Sequence, residues 1–288
     1  MSETGRVTVE TFRRKKAAGE KIVMLTAYDY TAAQLVDGAG VDCILVGDSL
    51  GMVMLGHETT LPVTMEDMLL HVKAVARGAR RALVVADMPF LSYQVNADEA
   101  LRNAGRFLQE AGAAAVKLEG GREIAPLAAR LVSAGIPVMG HLGLTPQSIN
   151  QLGGYGLQAK EAGRAAALLE DAESLAGAGV FAVVLEKIPR EVAAEATRRL
   201  AVPTIGIGSG SDCDGQVLVY HDMLGLYTDF RPKFVKQYAA VGEIIRSAVG
   251  QYAVEVRNGA FPAAEHAWSM DPGELAAFRG ALDSGRNA

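Results

Sequence analysis

Apolar residues along this chain gather into short unbroken runs at 22–26, 43–46, 83–86, 115–118, 137–142, 182–185, 204–207 and 216–219. Such a run, bounded by turn residues and lacking polar alternation, reads as a strand covered on both faces, as in a parallel sheet flanked by helices. Between the runs the pattern changes to helical spacing, at residues 30–39, 65–77, 97–111, 124–134, 161–178 and 190–200. Pro62-Val63-Thr64 introduces the second of these helices, and Asn96 stands where a side chain caps the third. Eight strands alternating with helices predict a (β/α)8 barrel rather than an open sheet. A short helix after Thr8, ending near Gly19, precedes the first strand and is expected to plug the bottom of the barrel. A further helix is expected from about Phe234 to Val256, followed by a polar tail that frays.

Length agrees with this pattern, because 288 residues suit one α/β barrel of roughly 250 residues with short extensions. The expectation is a single domain over 1–288, with the barrel at about 20–258 and a tail at about 259–288. Half the residues are apolar and the formal net charge is −5. The only basic run, Arg13-Arg14-Lys15-Lys16, reads as a solvated helix face, so no nucleic-acid footprint is expected. No apolar stretch reaches the length of a membrane span, and the opening Met1-Ser2-Glu3-Thr4-Gly5 lacks a signal-peptide pattern, which points to a cytoplasmic protein. Cys43 and Cys213 are the two cysteines, and neither a disulfide nor a zinc site is expected from them.

Chemistry enters where the runs stop. Asp48, Asp87, Glu119 and Glu186 stand at or just past the ends of runs two, three, four and six. In a parallel barrel those ends share one rim, the rim that carries barrel active sites. Clustered carboxylates repel unless something neutralises them. A hard divalent cation such as Mg2+ binds oxygen ligands and keeps positions open for water and substrate, so Asp48, Asp87 and Glu119 are candidate metal ligands. Each acid taken alone could instead cap a neighbouring helix. Lys117 lies two residues before Glu119 and shares its face of the strand, where a lysine needs a partner or an anion. Ser49 and His141, after runs two and five, are candidate donors to a substrate oxygen. The long connection at 143–160 exceeds the usual length of a βα loop, which marks it as functional. Gly206-Ile207-Gly208-Ser209-Gly210 reads chiefly as a place of close backbone approach.

Taken together, Val46-Gly47-Asp48-Ser49-Leu50-Gly51, Thr59-Thr60-Leu61-Pro62-Val63-Thr64, Val85-Ala86-Asp87-Met88-Pro89-Phe90 and Val116-Lys117-Leu118-Glu119-Gly120-Gly121 closely resemble the ketopantoate hydroxymethyltransferase family. The likeness continues through Gly140-His141-Leu142-Gly143-Leu144-Thr145-Pro146-Gln147, Gly153-Gly154-Tyr155, Leu185-Glu186 and Cys213-Asp214-Gly215-Gln216-Val217-Leu218. What it implies is a one-carbon transferase that moves a hydroxymethyl group from 5,10-methylenetetrahydrofolate to 3-methyl-2-oxobutanoate through a metal-stabilised enolate. By position it implies metal ligands at Asp48, Asp87 and Glu119, and keto-acid contacts at Asp48, Ser49, Asp87 and Lys117. It also implies a catalytic acid/base at Glu186 and a homo-oligomer, a decamer. Ser209 stands where the family more usually has alanine. Two rivals are a carbon–carbon lyase or mutase of the phosphoenolpyruvate-handling barrels, whose Lys-Lys-Cys-Gly-His signature this chain lacks, and a non-catalytic binder of 2-oxo acids or folate. The resemblance offers no physical marker for a folate pocket.

Overall fold

The computed structural model describes residues 5–230 and 232–285. The opening Met1 to Thr4, part of the stretch used above to weigh a signal peptide, lies outside the described residues. Eight parallel strands close into one barrel in sequence order: β1 (Ile22–Thr26), β2 (Cys43–Val46), β3 (Leu83–Asp87), β4 (Ala115–Glu119), β5 (Val138–Gly143), β6 (Ala182–Glu186), β7 (Thr204–Ile207) and β8 (Gly215–Leu218). The helices are α1 (Val9–Ala18), α2 (Tyr30–Gly38), α3 (Leu50–Val53), α4 (Met65–Gly78), α5 (Ala97–Gln109), α6 (Ala125–Ser133), α7 (Ile149–Leu152), α8 (Ala162–Gly177), α9 (Arg190–Arg199), α10 (Tyr220–Met223), α11 (Val241–Asn258) and α12 (Pro272–Gly285). The (β/α)8 architecture read from the apolar runs is the observed one. Contacts within the chain divide it at Ala239/Ala240 into two compact units.

Successive strand residues point to opposite faces, and this period of two sorts the runs into two cores. Ile44, Val46, Val84, Ala86, Val116, Leu118, Val138, Val183 and Leu185 face outward into the layer of helices. Leu45, Leu83, Val85, Ala115, Met139, Ala182, Val184, Ile205 and Val217 fill the interior. Continuing each inward series by two residues reaches Asp87 on β3, Lys117 and Glu119 on β4, His141 on β5 and Glu186 on β6. The interior is therefore apolar at its base and charged at its mouth.

Helix α1 closes the base. Its Thr8 cap and Thr11 exchange hydrogen bonds at the start, and Gly19 ends it in the left-handed conformation. Phe12 is fully buried against the interior core and meets Phe181 edge-on at 5.4 Å. The basic run is not a wholly solvated face. Arg13 pairs with Glu10 within the helix, but Lys15 Nζ reaches Asp42 at 2.7 Å and Lys16 Nζ reaches Asp214 at 2.7 Å. Two of the four charges thus tie α1 to the barrel, because a helix laid across the base brings half its polar face over the acidic residues of the bottom loops.

The helix expected from Phe234 begins only at Val241. Phe234 is held against Gly208, where a Cβ would strike its ring, and Val235 is buried nearby, so that stretch serves the barrel top as irregular chain. In the second unit, α11 ends at Gly259, and Phe261 then sits between Tyr252 and His266 at 5.6 and 5.1 Å. The tail expected to fray contains α12. Its start is organised by Asp271, whose carboxylate accepts from Gly273 N and whose carbonyl accepts from Leu275 N, ahead of a run of good helix formers.

Candidate active site at the barrel mouth

Barrel register decides which charged groups become neighbours. Asp87 pairs in register with Lys117, Glu119 with His141, and Gly143 with Glu186. Lys117 Nζ accordingly lies 2.8 Å from Asp87 Oδ1, 3.5 Å from Glu119 Oε1 and 3.1 Å from His141 Nδ1. His141 Nδ1 lies 3.2 Å from Glu119 Oε1, and its Nε2 lies 3.2 Å from Glu186 Oε2. One continuous chain of charge therefore runs from Asp87 through Lys117, Glu119 and His141 to Glu186.

Asp48 follows β2 and turns into the same place, where its backbone N–H donates to Asp87 Oδ2 at 3.1 Å. Ser49 opens α3, and its hydroxyl shares a hydrogen bond of 2.8 Å with buried Tyr28. The structure brings together every candidate named above. His141 differs in setting from the expectation of a donor in a loop: it is a buried residue within β5, already in contact with two carboxylates and a lysine.

The protonation pattern follows from burial and charge. Burial raises the pKa of Asp48 well above the usual range, and the nearby Asp87 and Glu119 add to this against the opposing pull of Lys117 and Gln147. Asp87 is also raised, with burial outweighing Lys117. At Glu119 the balance reverses: burial acts upward, but Lys117, His141 and the Gln147 amide together hold it below the ordinary value. Burial and Lys117 push His141 down, yet its contacts with Glu119 and Glu186 win and carry it to about 9, so it is an imidazolium at neutral pH.

Two residues in this network carried no assigned role in the sequence. Gln147, drawn into the site by the long loop after β5, donates from Nε2 to Asp48 Oδ2 and to Met88 O, both at 2.9 Å, and from its backbone N to Glu119 Oε2 at 3.0 Å. Tyr93 donates to Gln147 Oε1 at 2.8 Å and accepts from Glu119 N at 3.2 Å. Gln147 thus spans Asp48 and Glu119. A polar residue in a turn led by Pro146, between apolar Leu144 and Ile149, was the available signal for it.

Around Glu186 the backbone is tightly constrained. Gly143 has φ +94, and a Cβ there would collide with Glu186 O, so only glycine lets β5 pass β6 at this point. Lys187 holds φ +49, and its Nζ donates to Tyr155 O across the pocket rather than to Glu186. Ser209 Oγ donates to Leu185 O at 2.7 Å and accepts from Ile188 N at 3.4 Å, which binds the glycine loop to β6 beside Glu186. The glycine loop itself is filled by protein: Cβ atoms at Gly208 and Gly210 would meet Phe234 and Arg190.

A cavity of about 430 Å³ opens over these groups, and all its lining residues precede Ala240. Among the described residues, no three His, Cys, Asp or Glu side chains are gathered as a ready-made cage for a metal. A small hard cation does not need one, since one or two carboxylates suffice when water and substrate complete its shell. Asp48, Asp87 and Glu119 offer hard oxygens, and buried Asp87 Oδ1 and Glu119 Oε1 accept no hydrogen bond of regular geometry. That donor set suits a hard divalent cation.

A closed parallel barrel with converging charged groups in a cavity at its C-terminal mouth is the architecture of a (β/α)8-barrel enzyme. Residues 6–264 match the family described as ketopantoate hydroxymethyltransferase, and the chain belongs to that family. A 3-methyl-2-oxobutanoate hydroxymethyltransferase of Carboxydothermus hydrogenoformans is 59% identical over 93% of this chain and 97% of its own. One of Chloroflexus aurantiacus is 56% identical over 96% of this chain and 98% of its own. Among solved structures, phosphoenolpyruvate phosphomutase from Streptomyces platensis subsp. rosaceus superposes with a TM-score of 0.59 at 17% identity, over 97% of this chain and 98% of its own. A 2,3-dimethylmalate lyase does so with 0.58 at 17% identity, over 96% of each chain. These last two likenesses are of fold.

Proposed function

We propose that this transferase moves the one-carbon unit of 5,10-methylenetetrahydrofolate to C3 of 3-methyl-2-oxobutanoate, giving 2-dehydropantoate for pantothenate synthesis in the cytoplasm. The observation that carries the reading is the relay from Lys117 through Glu119 and His141 to Glu186, with a carboxylate at the end facing the cavity. Lys117 supplies positive charge for the acid's carboxylate and keto oxygens, and the Ser49 hydroxyl, seated on Tyr28, donates to them. Asp48 and Asp87 border the same position. His141, as imidazolium, anchors Glu186 Oε2 and sets the carboxylate to take the proton from C3. Water adds to the one-carbon unit as its bonds to N5 and N10 break, which leaves tetrahydrofolate with the two water protons and frees the unit at the oxidation level of formaldehyde. The C3 carbanion adds to that carbon, and the alkoxide formed takes back the proton held by Glu186.

Asp48, Asp87 and Glu119 would hold a divalent cation, with Mg2+ the proposed ion, and Gln147 would fix two of them. When bound, such a cation supplies Lewis-acid stabilisation of charge developing on the keto oxygen. Product formation from the two substrates is expected to stop when EDTA is added and to return with Mg2+. Undiminished turnover in metal-free protein would contradict the cation, and absence of product under every metal condition would contradict the reaction.

The enzyme is further proposed to act as a homo-oligomer, a decamer as the resemblance implies. In α11, Ile244, Ile245, Val249, Tyr252 and Val256 recur at helical spacing and are exposed. Light scattering at micromolar protein should return a multiple of the chain mass, and a monomer would refute association.

A further inference from the structure

The cavity is larger than its charged floor, and its wall has a different chemistry. Every group in the relay comes from β3 to β6, with Asp48 and Ser49 just past β2. The opposite arc, from β7 and β8 and the loop that follows, contributes Ile207, Val217, Leu218, Val219, Tyr227 and Phe234. Tyr155 from the loop after β5 and Met52 from α3 reach over, with the Tyr155 hydroxyl against Met52 sulfur at 3.9 Å. A small branched keto acid bound at the floor leaves this apolar and aromatic arc unfilled.

One carboxylate interrupts the arc. Asp222, in α10, lines the cavity, yet among the described residues its side chain has neither a hydrogen-bond nor an ion-pair partner. Partial burial raises its pKa to about 6, so in the half-buried wall of the cavity it is an ionised acceptor at neutral pH. The groups packed near it leave it alone. Tyr28 shares its hydroxyl hydrogen bond with Ser49, Thr26 Oγ1 accepts from Tyr220 N, and the His221 ring lies tilted against Tyr28 at 5.4 Å with its Nδ1 unpartnered among the described residues. A carboxylate half-withdrawn from water and without a protein donor gains when a ligand in the cavity brings the donor.

We infer that the arc over β7 and β8 is the seat of the one-carbon donor's bicyclic ring. In this arrangement Asp222 accepts from the adjacent amino and ring N–H groups of the aminopyrimidinone edge, and Tyr155, Tyr227 and Phe234 cover the ring faces. This assignment rests on the reading of the co-substrate as a reduced folate. The ligand class follows from the wall. A flat heterocycle fills an aromatic-lined slot, and two parallel N–H donors on one edge match the two oxygens of a carboxylate. With the ring on that side, the one-carbon unit it carries is presented to the charged floor inside the same cavity. Lys187, by holding Tyr155 O, keeps the loop after β5 in place over the slot.

The test uses the full-length enzyme with Asp222→Asn and Asp222→Leu. Asn keeps the shape and one acceptor but presents an amide donor to a donor edge. Both variants are expected to raise the Kd for tetrahydrofolate, read by calorimetry, about tenfold or more, while the KM for 3-methyl-2-oxobutanoate moves less than about threefold. A tetrahydrofolate analogue lacking the 2-amino group should bind the parent as weakly as the natural ligand binds Asp222→Asn, and should discriminate little between the two proteins. A structural role for Asp222 would not produce that coupling. Unchanged tetrahydrofolate affinity in both variants, or full analogue affinity in the parent, would overturn the seat while leaving the transferase reading intact. A parent that binds keto acid but not tetrahydrofolate would overturn the donor assignment and the seat with it.

Discussion

Glu186→Gln is expected to lose turnover by about 10²-fold or more while still binding the keto acid. The substitution keeps size and hydrogen-bonding length but removes the group that accepts a proton. His141 Nε2, 3.2 Å from Glu186 Oε2, would keep an amide oxygen as partner, so the side chain stays where it is. Lys117, Ser49 and the carboxylates past β2 to β4 are untouched, so the KM for 3-methyl-2-oxobutanoate should change far less than kcat. Exchange of the C3 proton with solvent deuterium should fall together with turnover. Near-normal exchange would move the base to another group.

The largest effect on stability is expected from Lys117→Met. Lys117 is a buried cation with Asp87 at 2.8 Å and Glu119 at 3.5 Å. Burial alone would depress its pKa, but Asp87, Glu119 and Asp48 overcome this and raise it, so the ammonium holds its proton firmly. Methionine fills similar volume without the charge. Removing one partner from a buried ionic group typically costs about 3–5 kcal/mol, because the remaining charges have lost their compensation. Urea denaturation at neutral pH should report a loss of that order, together with loss of keto-acid binding. The sign of its pH dependence is set by Asp48 and Asp87, whose pKa values are raised in the folded state. The folded protein therefore binds their protons more readily than the unfolded chain does, and stability gains as pH falls towards the ordinary carboxylate range. Lys117 pulls both values down, so its loss raises them further, and the penalty should be larger in mildly alkaline buffer than in mildly acidic buffer. A variant as stable as the parent at all pH values would mean that Lys117 does not neutralise the cluster.

Much of the architecture could be read from the runs because buried parallel strands leave an unambiguous mark: unbroken apolar stretches that end in polar residues. Asp87, Lys117, Glu119 and Glu186 were legible for the same reason, since a strand's period of two carries an inward apolar series directly onto them. Loops follow no such rule. Gln147, Tyr93 and Tyr28 touch the site only because particular turns bring them there, and no spacing in the chain encodes those turns. Asp222 is similar, one acidic residue in a short helix whose lack of side-chain partners among the described residues is a fact of packing. Lys15 and Lys16 looked like solvated charges because their partners Asp42 and Asp214 are remote in sequence, and only a closed barrel places both beneath α1. The late start of α11 has the same kind of cause, because Phe234 and Val235 find tertiary partners at the barrel top that local helix propensity cannot outweigh. The Ser209 hydroxyl is absorbed by Leu185 O and Ile188 N at the end of β6.

The central claim is that this cavity removes the C3 proton of 3-methyl-2-oxobutanoate and joins that carbon to a one-carbon unit. A proton NMR time course in deuterium oxide, with enzyme, Mg2+ and the keto acid, tests it most directly. The account predicts that the C3 proton signal decays at an enzyme-dependent rate, and that adding 5,10-methylenetetrahydrofolate converts the acid to 2-dehydropantoate. A C3 signal that persists as long as in the enzyme-free control, with no product after the folate is added, would contradict it.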